Sequence, residues 1–245
     1  MTNYLLHLAD TTLILAQRNS EWCAHGPILE QDIAITNISL DLIGQARNCY
    51  QYAAELFNKN SNNIHTEDTL AYLRNEDEFK NLLICELPNK NWAHTIVRQY
   101  LFSEFQYLLW QQLNNHADKQ LAAIAEKSIK ETTYHIRWSK EWVFRLGDGT
   151  NESHNKIATA LVTLWPYTHE FFIPANYEMQ VGIDFDAIHL QWLQKVKLVI
   201  DEATLTIPTN NLIQEGGKNG KHTKHLKIIL DELQQLQRKY PNAVW

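Results

Sequence analysis

The residues best suited to chemistry lie on three separate helical stretches. Over 28–57, Asn37, Asp41, Gly44 and Asn48 form a stripe of small or polar residues beside an apolar seam. Over 91–115, Glu104 shares a face with Val97, Leu101 and Leu108, and over 118–146, Ser128, Thr132, His135, Ser139 and Trp142 align, with Glu131 one turn before His135. A lone carboxylate in hydrocarbon is costly, so Glu104 requires a partner, a proton or a metal. Helical bundles that hold two iron ions use a Glu on two helices and Glu-x-x-His on each of the other two, because three-residue spacing puts both ligands on one face. This chain departs from that pattern twice. Asp41-Leu42-Ile43-Gly44 has a glycine where the imidazole belongs, and Thr132-Thr133-Tyr134-His135 has a threonine where the carboxylate belongs. The first helical stretch offers Asp10, Gln17 and Glu21 without a supporting pattern. Two readings stay open. Asp41, Glu104 and His135 together bind a metal, or Asp41 pairs with a neighbouring helix while Glu104 and His135 hydrogen-bond each other.

Other chemistry has less to stand on. The chain lacks GxGxxG, GxxxxGK[ST], GxSxG and HExxH, which removes the usual dinucleotide, phosphate-loop, hydrolase and zinc-protease motifs. The stretch Gly216-Gly217-Lys218-Asn219-Gly220-Lys221-His222-Thr223-Lys224 is more informative. Thr223 is placed to cap a following helix, and Lys218, Lys221, His222 and Lys224 crowd its N-terminus. Such an end is a ready anion site, and the alternative is a solvated basic loop.

The elements that position these residues are helices throughout. Steps of three and four run over 4–23, 28–57, 91–115 and 118–146, then over 152–173 with a kink expected at Pro166, and over 184–203 and 222–240. His25-Gly26-Pro27 breaks the first pair, 58–66 is Asn-rich and loop-like, and 67–87 holds shorter helical pieces ending at Pro88. Period-two alternation never extends beyond a few residues. The expected fold is all-α: one ferritin-like antiparallel four-helix bundle over 1–245, with its core at about 3–146 and appended helices at about 152–240. Trp92, Trp110, Trp138, Trp142, Trp165 and Trp192 are expected as packing or interface anchors.

With 22 basic and 28 acidic side chains among 245 residues, the net charge is −6, so no global basic field exists for nucleic acid. Cys23, Cys49 and Cys85 are odd in number and widely spaced, which fits reduced thiols in a cytoplasmic protein. The N-terminal MTNYLLHLADTTLILAQR lacks the basic and apolar regions of a secretion signal, and no apolar run is long enough for a membrane span.

Several segments carry a specific likeness. WCAHGPILEQDIAITNISLDLIGQARNCYQYAAEL, RNEDEFKNLLICELPNKNWAHTIVRQY, KSIKETTYHIRWSKEWVFRLGDGT and EGGKNGKHTKHL resemble the C-subunit family of phenylacetyl-CoA 1,2-epoxidase, the ring-oxidising monooxygenase of aerobic phenylacetate catabolism. The similarity runs from LADTTLILAQRNSEW to LQRKYPNAVW. It implies a ferritin-like, noncatalytic structural subunit that binds and stabilises a di-iron catalytic A subunit, alongside B and reductase subunits. By this resemblance the polypeptide itself binds no cofactor. The iron sits in A, and FAD, an iron–sulfur centre and NADPH belong to the reductase. Asp41, Gly44, Glu104, Thr132 and His135 then mark the positions of a lost metal site, and Lys218, Lys221, His222 and Lys224 face a phosphate of coenzyme A, an acidic patch of A, or solvent. Two rival expectations are an oxidase in its own right using Asp41, Glu104 and His135, and a free-standing acyl-CoA-binding module.

Overall fold

Glycine, proline and asparagine punctuate the sequence where the helices start and stop. The computed structural model describes residues 1–59, 64–209 and 212–240. Within them run α1 (Thr2–Ser20), α2 (Leu29–Asn58), α3 (Glu67–Tyr72), α4 (Trp92–Leu113), α5 (Lys119–Gly147), α6 (Asn151–Leu164), α7 (Phe185–Glu202), α8 (Lys224–Leu233) and α9 (Gln235–Lys239), joined by short 3₁₀ turns. The described residues contain no strand, so the fold is all-α, consistent with the ferritin-like bundle. No helix among them is long and apolar enough to cross a membrane. Part of the expected 58–66 loop, residues 60–63, and the end of the C-terminal segment, 241–245, lie outside the described residues.

The chain gathers into two compact units, one of residues 1–88 with 215–245 and one of residues 89–214. The appended helices expected over 152–240 are therefore divided. α6 and α7 belong to the second unit, α8 and α9 to the first.

In the first unit α1 and α2 pack along one another as a hairpin. α1 is buried on nearly every side from Tyr4 to Ala16, as a helix with no polar face must be. That burial encloses Asp10, which takes three elements to satisfy. Tyr50 of α2 donates to its Oδ1 at 2.5 Å, the backbone N–H of Lys80 donates to Oδ2 at 2.8 Å, and the Arg74 guanidinium closes a two-pronged ion pair with both oxygens. Arg74 also donates to the carbonyls of Leu70 and Glu78 and lies over the Phe79 ring, 4.3 Å from its centroid. Burial of the Tyr50 phenol beside the Asp10 charge holds it well above the usual tyrosine range.

In the second unit α4 packs along α5, and α6 and α7 pack against α4. Side-chain caps fix the starts: Asn91 accepts from the His94 amide, Asp118 from those of Gln120 and Leu121, Thr150 from Ser153 and Asp184 from Ala187. The stretch expected as one kinked helix over 152–173 ends as α6 at Leu164 and continues as two 3₁₀ turns, because Pro166 has no N–H to extend the ladder. The tryptophans pack as expected. Trp92 meets Trp138 and Trp142 edge-on, and Trp192 donates Nε1–H to the Leu101 carbonyl at 2.9 Å inside a cluster with Trp165, Phe171 and Phe172.

Removing one partner of a buried ion pair strands the other charge. Arg74→Met is therefore expected to cost about 3–5 kcal/mol in urea denaturation, with much of the loss recovered in the Asp10→Asn/Arg74→Met double variant.

Candidate functional site

The polar interior of the second unit is a ladder between α4 and α5. On α4, Gln99, Ser103 and Gln106 recur at steps of four and three, and on α5, Ser128, Thr132, His135 and Ser139 do the same. All seven are buried. Gln99 donates Nε2–H to Ser103 Oγ at 2.9 Å, and Ser128 and Ser139 each donate to the carbonyl one turn back, on Ile124 and His135, at 2.8 and 2.7 Å. Thr132 Oγ1 donates to the Ser128 carbonyl at 2.8 Å, with the Gln106 Oε1 acceptor at 3.3 Å. Glu131, one turn before His135, pairs along its own helix with Lys127 at 3.8 Å. The donor set of the ladder is amide, hydroxyl and imidazole, without the anionic oxygens a pair of iron ions needs to balance its charge. These residues do not fit such a centre.

Gln106 carries no signal in the sequence. Taking Glu104 as the inward residue of α4 sets the wrong side of the helix against α5, for two positions along a helix differ by about 200°. The face that meets Thr132 is the one carrying Gln106. The expected Glu104–His135 hydrogen bond is accordingly not formed. His135 is wholly buried on the ladder, whereas Glu104, 4% exposed, has an Oε2 with no hydrogen-bond partner. Burial pushes the Glu104 carboxyl above the ordinary range, held back by the cations of Lys195 on α7 and Lys140 on α5 and by the neighbouring Tyr100 hydroxyl. That hydroxyl falls short of a well-formed hydrogen bond.

In the first unit Asp41 and Gly44 are half-buried on α2, and a Cβ at Gly44 would meet no atom within 4 Å. The other candidate carboxylates on this side are committed elsewhere, Asp10 to Arg74 and Tyr50, and Glu21, just after α1, to Arg18 at 2.5 Å. Among the described residues no three His, Cys, Asp or Glu side chains gather as a metal ion requires.

The glycine–lysine loop folds inward. Gly217 approaches the Asn81 backbone so closely that a Cβ would strike its carbonyl, and Lys218 is buried. Thr223 caps α8, as its position predicts, by accepting from the His225 amide at 3.1 Å. The anion at this helix start is the chain's own Glu86, fully buried, which accepts from the Thr223 amide and hydroxyl at 2.8 and 2.7 Å and lies 2.6 Å from His222 Nδ1. Of the four residues expected to face an anion, Lys221 and Lys224 remain exposed.

The polar ladder between α4 and α5 is neutral, and the fold around it is all-α. The chain belongs to the phenylacetic acid catabolic protein family, which it matches over residues 1–245. It is 44% identical over 250 residues to the C subunit of 1,2-phenylacetyl-CoA epoxidase from Escherichia coli (strain K12), with 100% of this chain and 99% of that protein covered.

Glu104 gives a signed pH dependence. A carboxyl whose folded-state pKa is raised gives stability that is full below the unfolded value and lost as pH rises through the folded one. Glu104→Gln is therefore expected to raise the urea midpoint at pH 7.5 and to leave it nearly unchanged at pH 4, where the native carboxyl is already protonated; an equal gain at both pH values would contradict the assignment.

Proposed function

We propose that this chain is the noncatalytic structural member of a phenylacetyl-CoA epoxidase in the cytoplasm, binding and stabilising the di-iron A subunit. The assembly also includes B and reductase subunits, and the reductase carries FAD, an iron–sulfur centre and NADPH. The observation that carries this reading is the Gln106–Thr132 contact. Thr132, bonded to its own backbone at 2.8 Å, meets Gln106 at 3.3 Å between α4 and α5, and neither side chain offers the carboxylate that a di-iron bundle directs inward. Full-length similarity to a C subunit of such an epoxidase supports the same role.

The surface also supports attachment to another chain. Leu29, Ile33 and Leu40 of α2 are 72%, 52% and 60% exposed, and their spacing sets them on one side of the helix with the open Gly44. Large side chains beside an unfilled glycine let a second helix approach closely, and apolar surface of this kind marks a contact face. Asp41 borders that stripe.

Two measurements test the proposal. In the assembled complex, Gln106→Leu and Thr132→Val are expected to keep turnover of phenylacetyl-CoA within about twofold, since neither residue meets the transition state. Leu40→Glu should weaken co-elution with the A subunit by about tenfold or more, roughly 1.4 kcal/mol, with the fold of the free chain intact by circular dichroism. Turnover by the isolated chain with an electron donor would instead establish the oxidase reading. Calorimetric binding of coenzyme A thioesters to the isolated chain, without any affinity for A, would establish the binding-module reading.

A further inference from the structure

The segment that carries α8 and α9 is tied to the rest of the first unit at His222, and the ring's surroundings fix its protonation state. Nδ1 lies 2.6 Å from Glu86 Oε1, and Nε2 lies 2.9 Å from the Phe79 carbonyl. A carboxylate and a carbonyl oxygen can only accept, so both ring nitrogens must donate. A neutral imidazole has one N–H and would turn a lone pair toward one of these oxygens. The histidine side chain is 1% exposed and that of Glu86 fully buried, so water cannot stand in for the missing donor.

We infer that His222 is a buried imidazolium and that its proton is the latch holding the C-terminal segment, α8 included, against residues 79–86. The charges around it fit this role. Glu86 also accepts from Asn81 at 2.9 Å and from Thr223, which fixes its carboxylate in place. Burial works against the cation, but the hydrogen bond and charge of Glu86, the Phe79 carbonyl and the more distant Asp10 outweigh it, raising the imidazole above its ordinary value. From α1, Arg18 binds the Glu86 backbone carbonyl and leaves the carboxylate to the histidine. Arg74 sits over the Phe79 ring with its charge spent on Asp10, and Lys221 and Lys224 point to solvent on the segment itself. Other ties of this segment include Gln234 and Arg238, which donate to the Arg74 carbonyl at 3.1 and 3.0 Å, and Gln234 also donates to that of Ala71; the buried Lys218 and, in the first turn of α8, His225 are further titratable groups on the segment. His222 is the member of the clasp that bridges Glu86 and the Phe79 carbonyl, and an imidazole is a group that titrates near neutrality. Because its folded-state value is raised, the stability it contributes is complete below the unfolded value and is lost as pH rises through the folded one.

The test uses the full chain labelled with ¹⁵N. The ring nitrogens of His222 should both read as protonated at pH 7.5. Hydrogen-exchange protection of the α8 amides, corrected for the intrinsic pH effect, should fall about tenfold for each pH unit above the His222 transition. Glu86→Gln should move that transition down by about one pH unit or more, and His222→Gln should abolish the pH-dependent step. A neutral ring at pH 7.5, or a charged ring whose titration leaves α8 protection unchanged, would overturn the proposal, and both readouts come from the unmodified chain even if the variants fold poorly.

Discussion

A polar group removed from water must find its hydrogen bonds inside the protein, and the interior of this chain is arranged around that requirement. α1 is buried on nearly all sides and still carries Asp10. The carboxylate is tolerable only because Arg74, Tyr50 and the Lys80 amide converge on it from segments 40 to 70 residues away. Glu86 poses the same problem and is solved by His222, Thr223 and Asn81. Each solution fixes a loop: the first anchors the chain after α3, the second anchors the return of the C-terminal segment.

The α4–α5 ladder of the second unit meets the constraint without charge. It is made of amides, hydroxyls and one imidazole, and the hydroxyls of α5 return their protons to the backbone one turn earlier. Such a ladder is cheap to bury, since no group in it needs a counter-ion. It also lacks the carboxylates that would balance a metal ion's charge. Glu104 stands off the ladder, a carboxyl carried on another side of α4 with one oxygen unpartnered, and burial raises its proton affinity rather than supplying a partner.

Much of the fold was legible in the chain. Apolar steps of three and four, broken at Gly26-Pro27, Asn114-Asn115 and Gly147, placed the long helices within a few residues of their ends, because helix boundaries are set by local backbone chemistry. That Gly44 and Thr132 depart from a Glu-x-x-His pattern was equally plain, since a residue type needs no structure to be read. Thr223 as a cap is local in the same sense.

What the chain alone could not settle were choices made by distant partners. Periodicity shows that α4 has faces but not which one meets α5, so Glu104 stood where Gln106 belongs. A helix with apolar residues on most of its circumference gives no preferred phase. Nor does a basic glycine-rich loop announce that its anion is Glu86, 136 residues earlier, or an aspartate in an apolar helix that its counter-ion is Arg74, 64 residues later. The sequence by itself determined helices, their ends and the absence of a Glu-x-x-His pair at Asp41–Gly44 and Thr132–His135, all matters of near-neighbour spacing. The pairing of buried charges was decided only by tertiary structure, because it depends on which segments the packed core brings within hydrogen-bond reach.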